Sequence, residues 1–170
     1  MPETAGRVLV VDLDGTLLRS DLLHETLWDA LSRNPGALWG ALGALQQGRA
    51  ELKAWLAAQS KLQVATLPYD ARVIARLADW RAAGGRTALV TAADATLAKA
   101  VATHLDLFDE VHGSKDGVNL KGPAKARFLN DRFGVEGYDY IGDSPADLPV
   151  WEGAHDAISV GASAGLRRRL

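Results

Sequence analysis

Apolar residues recur along this chain in two rhythms. Short runs such as Val8-Leu9-Val10-Val11 are mostly β-branched, whereas longer stretches bring an apolar residue back every three or four positions. The first rhythm is that of a buried strand and the second that of an amphipathic helix. The pattern predicts strands over 7–13, 87–91, 138–141 and 157–160, with a weaker one at 110–112. It predicts helices at about 69–83, 95–104 and 123–133 and a short one near 146–152. Gly84-Gly85 closes the first of these helices as a C-terminal cap. Strands alternating with helices build a parallel sheet with right-handed crossovers and helices on both faces, so the fold class is α/β.

One segment breaks the alternation. Between about residues 20 and 68 the pattern is helical throughout: Leu22, Leu23, Leu27, Trp28 and Leu31, then Leu38, Trp39, Leu42 and Leu45, then Leu52, Trp55 and Leu56. Asn34-Pro35-Gly36 separates the first two of these helices and Gln47-Gly48 the last two. The tryptophans are expected mainly to pack between this insertion and the sheet. The alternative for Trp39 and its Gly-Ala-Leu surroundings is a partner surface, because apolar helices in a thin layer are hard to bury fully.

Composition narrows the function classes. A chain of 170 residues fits one domain, or one core with a small appendage. Its 48% hydrophobic and 24% charged content and net charge of −2 are those of a soluble globular protein. Basic residues are neither in excess nor interleaved with aromatics, so no nucleic-acid partner is expected. The chain has no cysteine, which excludes disulfides and thiolate metal sites and suits the cytoplasm. Residues 1–7 lack the layout of a signal peptide. The most apolar run, residues 37–45, is far below the ~20 residues that span a bilayer, so no membrane insertion is expected.

Candidate chemistry gathers at the strand ends. The first strand runs into Asp12-Leu13-Asp14-Gly15-Thr16. Residues two apart on a strand project the same way, so Asp12 and Asp14 face one site at its carboxyl end, where open α/β sheets bind ligands. Two acids that close repel unless a cation lies between them or one keeps its proton. Three further segments follow: Thr87-Ala88-Leu89-Val90-Thr91-Ala92-Ala93-Asp94, Asn119-Leu120-Lys121-Gly122, and Tyr138 to Asp147 with the pattern G-D-x-x-x-D.

In this order the four segments resemble the motifs of the haloacid dehalogenase (HAD) superfamily of phosphohydrolases and phosphotransferases. A closer likeness lies in Asp21-Leu22-Leu23, Leu67-Pro68-Tyr69, Ala92-Ala93-Asp94, Asn119-Leu120-Lys121-Gly122 and Ala146-Asp147-Leu148-Pro149-Val150-Trp151. These residues resemble the soluble HAD domain that precedes a UbiA-type membrane prenyltransferase in some bacterial proteins. The chain departs from those fusions in ending at Leu170.

The resemblance implies a Rossmann-like HAD core over 1–19 and 69–170. It makes 20–68 a helical C1 cap, inserted between motifs I and II to cover the site and select the substrate. Asp12 is implied as the nucleophile that forms an aspartyl-phosphate, and Asp14 as the acid that protonates the leaving alkoxide and then activates water. An acid at position 14 points to phosphoryl transfer, since true dehalogenases in the superfamily lack it. Thr91 and Lys121 are implied as donors to the phosphoryl oxygens. Lys125 competes with Lys121, but a lysine one turn into a helix is more often solvated or capping, and Lys121 has the Asn-Leu-Lys-Gly setting of the related domains. Asp12, Asp143 and the Asp14 carbonyl are implied as ligands of Mg²⁺, with Asp147 acting through a water or orienting the others. Asp143 and Asp147 equally suit a helix N-terminal cap, and the two readings are compatible.

Asp21 sits where phosphoserine-phosphatase-like members read a substrate amino group, and it equally suits the first turn of its helix. His24, Glu25, Arg33, Arg49, Lys53 and Arg72 lie in or near the cap, where they are candidates to read a substrate, but each taken singly reads better as solvated surface. His104, His112 and His155 lack the spacing of a metal site, and Arg167-Arg168-Arg169 reads as a solvated tail. The expected function is therefore an Mg²⁺-dependent phosphatase acting on a small phosphorylated metabolite. The fusion likeness adds a sugar phosphate or prenyl-linked sugar phosphate as candidates, and a functional link to a membrane prenyltransferase. The alternatives are a phosphomutase, or a non-catalytic phosphate-sensing module partnering such a prenyltransferase.

Overall fold

The computed structural model of the chain describes residues 6–59, 61–115, 119–161 and 168, and the side chains of residues 49 and 50 lie outside that description. The side chain of Arg49 as a candidate substrate reader, the segment 1–5, and Arg167 and Arg169 of the basic tail thus fall outside that description.

Five strands form one parallel sheet in the order β3-β2-β1-β4-β5. They are β1 (Val8–Val11), β2 (Arg86–Asp94), β3 (Glu110–Ser114), β4 (Tyr138–Gly142) and β5 (Ala157–Ser159). β1 is the centre, and all four of its residues are buried. Leu9 and Val11 face a layer made by α4 (Ala71–Ala82) and α5 (Ala95–Leu105), where Val73, Leu77, Val101 and Ala102 pack. Val8 and Val10 face the opposite layer of α6 (Pro123–Phe133) and α7 (Leu148–Trp151), where Leu129, Val150 and Trp151 pack. A strand covered on both faces must be apolar at every position, which is why this run does not alternate.

Element ends depart from the periodicity where side chains bind backbone. β2 runs on to Asp94, which pairs with Ser114 after a register shift, and the Asp94 carboxylate then accepts from the amides of Thr96 and Leu97 to start α5. Asp70 caps α4 by accepting from Arg72 N at 2.9 Å, so the helix begins at Ala71. A 3₁₀ turn at Pro145–Asp147 precedes α7, closed by reciprocal bonds between Ser144 and Asp147.

The segment between β1 and α4 forms α1 (Leu22–Arg33), α2 (Ala37–Gln47) and α3 (Arg49–Gln59). Its entry and exit lie together: Arg19 N donates to Pro68 O and Asp70 N to Leu17 O, both at 2.9 Å. α3 packs against α1, α2 and β2, and Lys53 Nζ reaches the Ala92 carbonyl at the tip of β2. Gly40 lies so close under the Trp55 ring that a Cβ there would come within 2.3 Å of it. Trp80 and Trp151 are buried in the core, but Trp28 and Trp39 of the insertion are 70% and 75% exposed. The expectation that they pack against the sheet fails because α3 occupies that side of the insertion. No helix among the described residues is long and apolar enough to cross a membrane.

Leu9 sits at the centre of the sheet with no exposure. Leu9→Ala should lower unfolding free energy by about 3 kcal/mol in urea titration, and a loss below about 1 kcal/mol would contradict this placement.

Candidate active site

The carboxyl ends of β1, β2 and β4 converge on one cavity, whose lining includes Asp12, Asp14, Thr91, Lys125, Asp143 and Asp147. The chain reaches it by sharp turns that only certain residues allow. Gly15 has φ +76°, and a Cβ there would meet Asp143 Oδ2 at 2.3 Å. Glycine is required twice over, by backbone conformation and by the acid beside it. Gly142 has a similar duty, since a Cβ there would come within 2.8 Å of Asp147 Oδ2 and of the Tyr140 ring.

Three carboxylates crowd the cavity floor. Asp12, Asp143 and Asp147 each offer an oxygen within 4.8 Å of the other two. Burial raises Asp143 to about 6, helped by the charges of Asp12 and Asp147. Burial also raises Asp12, against the opposing pull of Lys125. Crowded acids of this kind and oxygen-only donors fit a hard divalent ion such as Mg²⁺. Asp147 is already committed: Oδ1 accepts from the Tyr140 hydroxyl at 2.8 Å, and Oδ2 accepts from Ser144 N and Oγ at 3.2 Å. Those bonds fit it to orient the cluster, with Asp12 and Asp143 left to hold the ion.

The lysine at the acids is Lys125, which corrects the preference for Lys121. Lys125 Nζ donates to Asp12 Oδ1 and to the Tyr140 hydroxyl, each at 2.9 Å, and lies 3.8 Å from Asp147. The residue is 2% exposed, whereas Lys121 is exposed at the cavity rim. The physical reason is helical phase: Lys125 shares the buried face of α6 with Ala126 and Leu129. Its stem crosses that face and its ammonium emerges under Asp12. That phase was the available signal. Tyr140, the unforeseen member of the group, accepts from Lys125 and donates to Asp147. Burial and the surrounding acids push its phenol well above the usual value, so the proton stays.

Asp14 turns towards α1 instead. Its Oδ1 accepts from Leu22 N at 2.8 Å, and burial, with Asp21 and Asp12 nearby, raises it to about 7 despite that bond and Lys53. Asp21 caps α1 by accepting from Leu23 N at 2.7 Å while also lining the cavity. Thr91 is buried, and its hydroxyl oxygen accepts from Ala93 N at 3.0 Å, which leaves its proton to donate elsewhere. Beside Asp14 lies a smaller cavity of about 190 Å³ bounded by Leu22, Leu23 and Thr26 of α1, Lys53 of α3, and Leu97. Lys121 lines both cavities. A separate group, Asp139 with His155 and Asp156, forms near the start of β4, where Arg7 pairs with Asp139 at 3.1 Å. Sequence spacing hides it because a strand crossing brings Asp139 to the other two.

This geometry can be set beside known proteins. The model of the haloacid dehalogenase-like hydrolases matches residues 9–152. The chain belongs to that family. A curated relative, the uncharacterized protein y4nM of Sinorhizobium fredii, is 41% identical over 162 residues, 95% of this chain and 31% of the relative. The chain thus spans about a third of that relative's length. Among solved structures, a HAD family hydrolase of Salmonella enterica serovar Typhi aligns with a TM-score of 0.68 at 18% identity, covering 99% of this chain and 67% of that one. A substrate-bound phosphoserine phosphatase aligns with a TM-score of 0.66 at 14% identity, covering 96% and 90%. These likenesses establish the HAD fold.

The acids make stability depend on pH in a defined direction. Asp14 and Asp143 hold protons more tightly folded than unfolded, where carboxyls titrate near about 4. Their stabilising contribution is complete below that value and disappears as pH rises through about 6 and about 7. Without divalent ions, the thermal midpoint should fall from about pH 5 to about pH 8, and added Mg²⁺ should restore it mainly at the higher pH. A flat profile, or an Mg²⁺ effect equal at both ends, would contradict the assignment.

Proposed function

We propose that this HAD hydrolase is an Mg²⁺-dependent phosphatase that cleaves a small phosphate monoester through a phosphorylated Asp12. The observation that carries the reading is the pairing of two unlike acids at one strand tip. Burial raises both. Among the described residues, however, only Asp12 has an ammonium within hydrogen-bond distance to favour its carboxylate, Lys125 Nζ at 2.9 Å, whereas Asp14 accepts from the Leu22 amide and is raised to about 7. A nucleophile must be a carboxylate, and a general acid must keep its proton near neutral pH.

Asp12 would attack phosphorus while Asp14 passes its proton to the leaving oxygen. Asp14, now a carboxylate, would take a proton from the water that cleaves the acyl phosphate. Lys125 and the Thr91 hydroxyl are placed to donate to oxygens that gain charge in the transition state. Asp12, Asp143 and the Asp14 carbonyl would hold Mg²⁺, which when bound neutralises phosphoryl charge. Tyr140 and Asp147 keep Lys125 from swinging away. The helical segment 20–68, whose α1 and α3 wall the smaller cavity, would act as the cap that limits substrates to compact ones. A phosphorylated sugar is the first substrate class to try. A link to a membrane prenyltransferase remains part of this reading through the likeness in motif surroundings.

Phosphate release from a panel of esters, with and without Mg²⁺, tests it. Asp12→Asn should abolish release. Lys125→Met should lower kcat by about 10²–10³, and Lys121→Met should stay within about tenfold of the natural chain. The reading fails if Asp12→Asn keeps activity, or if isomerised ester accumulates in place of free phosphate.

A further inference from the structure

Carboxylates also gather around an imidazole away from the catalytic acids. Asp139, His155 and Asp156 each offer a ligand atom within 4.8 Å of the other two. Backbone bonds between β4 and the turn before β5 set this group. His155 N donates to Tyr138 O at 2.8 Å, and Tyr140 N donates to Asp156 O at 3.0 Å, so the two residues flank Asp139. Tyr138 and Tyr140 pack in the α6 and α7 layer, and strand alternation turns Asp139 to the opposite face. Asp139 lies four residues before Asp143, about 13 Å of strand, and outside the lining of the catalytic cavity.

One oxygen of this group lacks a partner. Asp139 is wholly buried, and Arg7 Nε donates to its Oδ1 at 3.1 Å. That is a single bond, where a guanidinium fork commonly engages both oxygens of a carboxylate. Oδ2 is buried and accepts no hydrogen bond among the described residues. A water or an ion ordinarily fills such a place, and the neighbours favour the ion. His155 Nδ1 lies 3.7 Å from Asp139 Oδ1 and 3.5 Å from Asp156 Oδ1. Ligand atoms around a tetrahedral zinc stand roughly 3.3–3.4 Å apart, so these need close only slightly. Arg7 on Oδ1 leaves Oδ2 to coordinate, and gives the carboxylate the outer hydrogen bond that metal-ligating carboxylates carry. Burial raises the Asp139 carboxyl despite Arg7, and the Asp156 charge adds to it, a pressure that a cation relieves.

We infer that Asp139, His155 and Asp156 form a second cation site, which takes a zinc ion with water completing its shell. Donor chemistry selects the ion. One imidazole nitrogen with two carboxylates suits zinc, whereas Mg²⁺ prefers oxygen throughout. The His155 and Asp156 side chains are 44% and 52% exposed, which gives the ion its way in and leaves a side open to water. Zinc held there ties the turn between α7 and β5 to the buried interior of β4.

Nitrogen NMR of the imidazoles, followed as zinc is added to the natural chain, tests the inference. His155 Nδ1 should shift at lower zinc than any nitrogen of His24, His104 or His112. Calorimetry with zinc then separates the two acidic groups. Asp12→Asn/Asp143→Asn removes the catalytic acids and should still bind zinc. Adding His155→Gln or Asp156→Asn to that variant should weaken binding by at least about tenfold. Both positions are exposed, so neither change should move the thermal midpoint measured without zinc. Phosphate release plays no part in these readouts, so they stand whatever the phosphatase assay returns. A His155 that does not shift, or equal affinity after His155→Gln, would overturn the inference and leave the group an ion pair with Arg7. So would zinc binding that disappears with Asp12 and Asp143.

Discussion

The structure depends on a concentration of negative charge at the tips of two adjacent parallel strands. Asp12 and Asp143 end β1 and β4, and Asp147 joins them from the turn that follows. Mutual repulsion at this range is tolerable only with a cation present or with protons retained. Lys125 supplies part of the answer by holding Asp12, and the raised values of Asp14 and Asp143 supply another part. A divalent ion completes it in the proposed working state.

The rest of the fold supports that concentration. β1 is buried on both faces, so its position is fixed by two layers of packing, and its carboxyl end inherits that rigidity. Gly15 and Gly142 let side chains approach where a methyl group would collide. Tyr140 turns a row of acids into a directed network, accepting from Lys125 and donating to Asp147. The same elements that give stability therefore set the ionisation of the site, and the two cannot be altered independently.

Much of this was legible because it is local. The β1 run, the D-x-D spacing and the G-D-x-x-x-D segment are encoded within a few residues each, and strand alternation converts spacing into direction. The start of α4 moved from about 69 to Ala71 because its cap depends on a single side-chain bond that periodicity does not register. Lys125 was passed over for Lys121 although its helical phase, with Ala126 and Leu129, marked it as inward-facing. Trp28 and Trp39 had the spacing of core residues, and only the placement of α3 shows that they point outward. Non-local facts of that kind, which helix covers which, are what sequence patterns leave open.

Covalent transfer to Asp12 is the claim on which the chemical account turns. Acid quenching during turnover of a phosphate ester, followed by mass analysis of peptides, measures it most directly. The account predicts one phosphoryl group on the peptide bearing Asp12, absent in Asp12→Asn and more persistent when Asp14 is changed to Asn. Steady turnover with no phosphorylated peptide, or with the group on another residue, would contradict it.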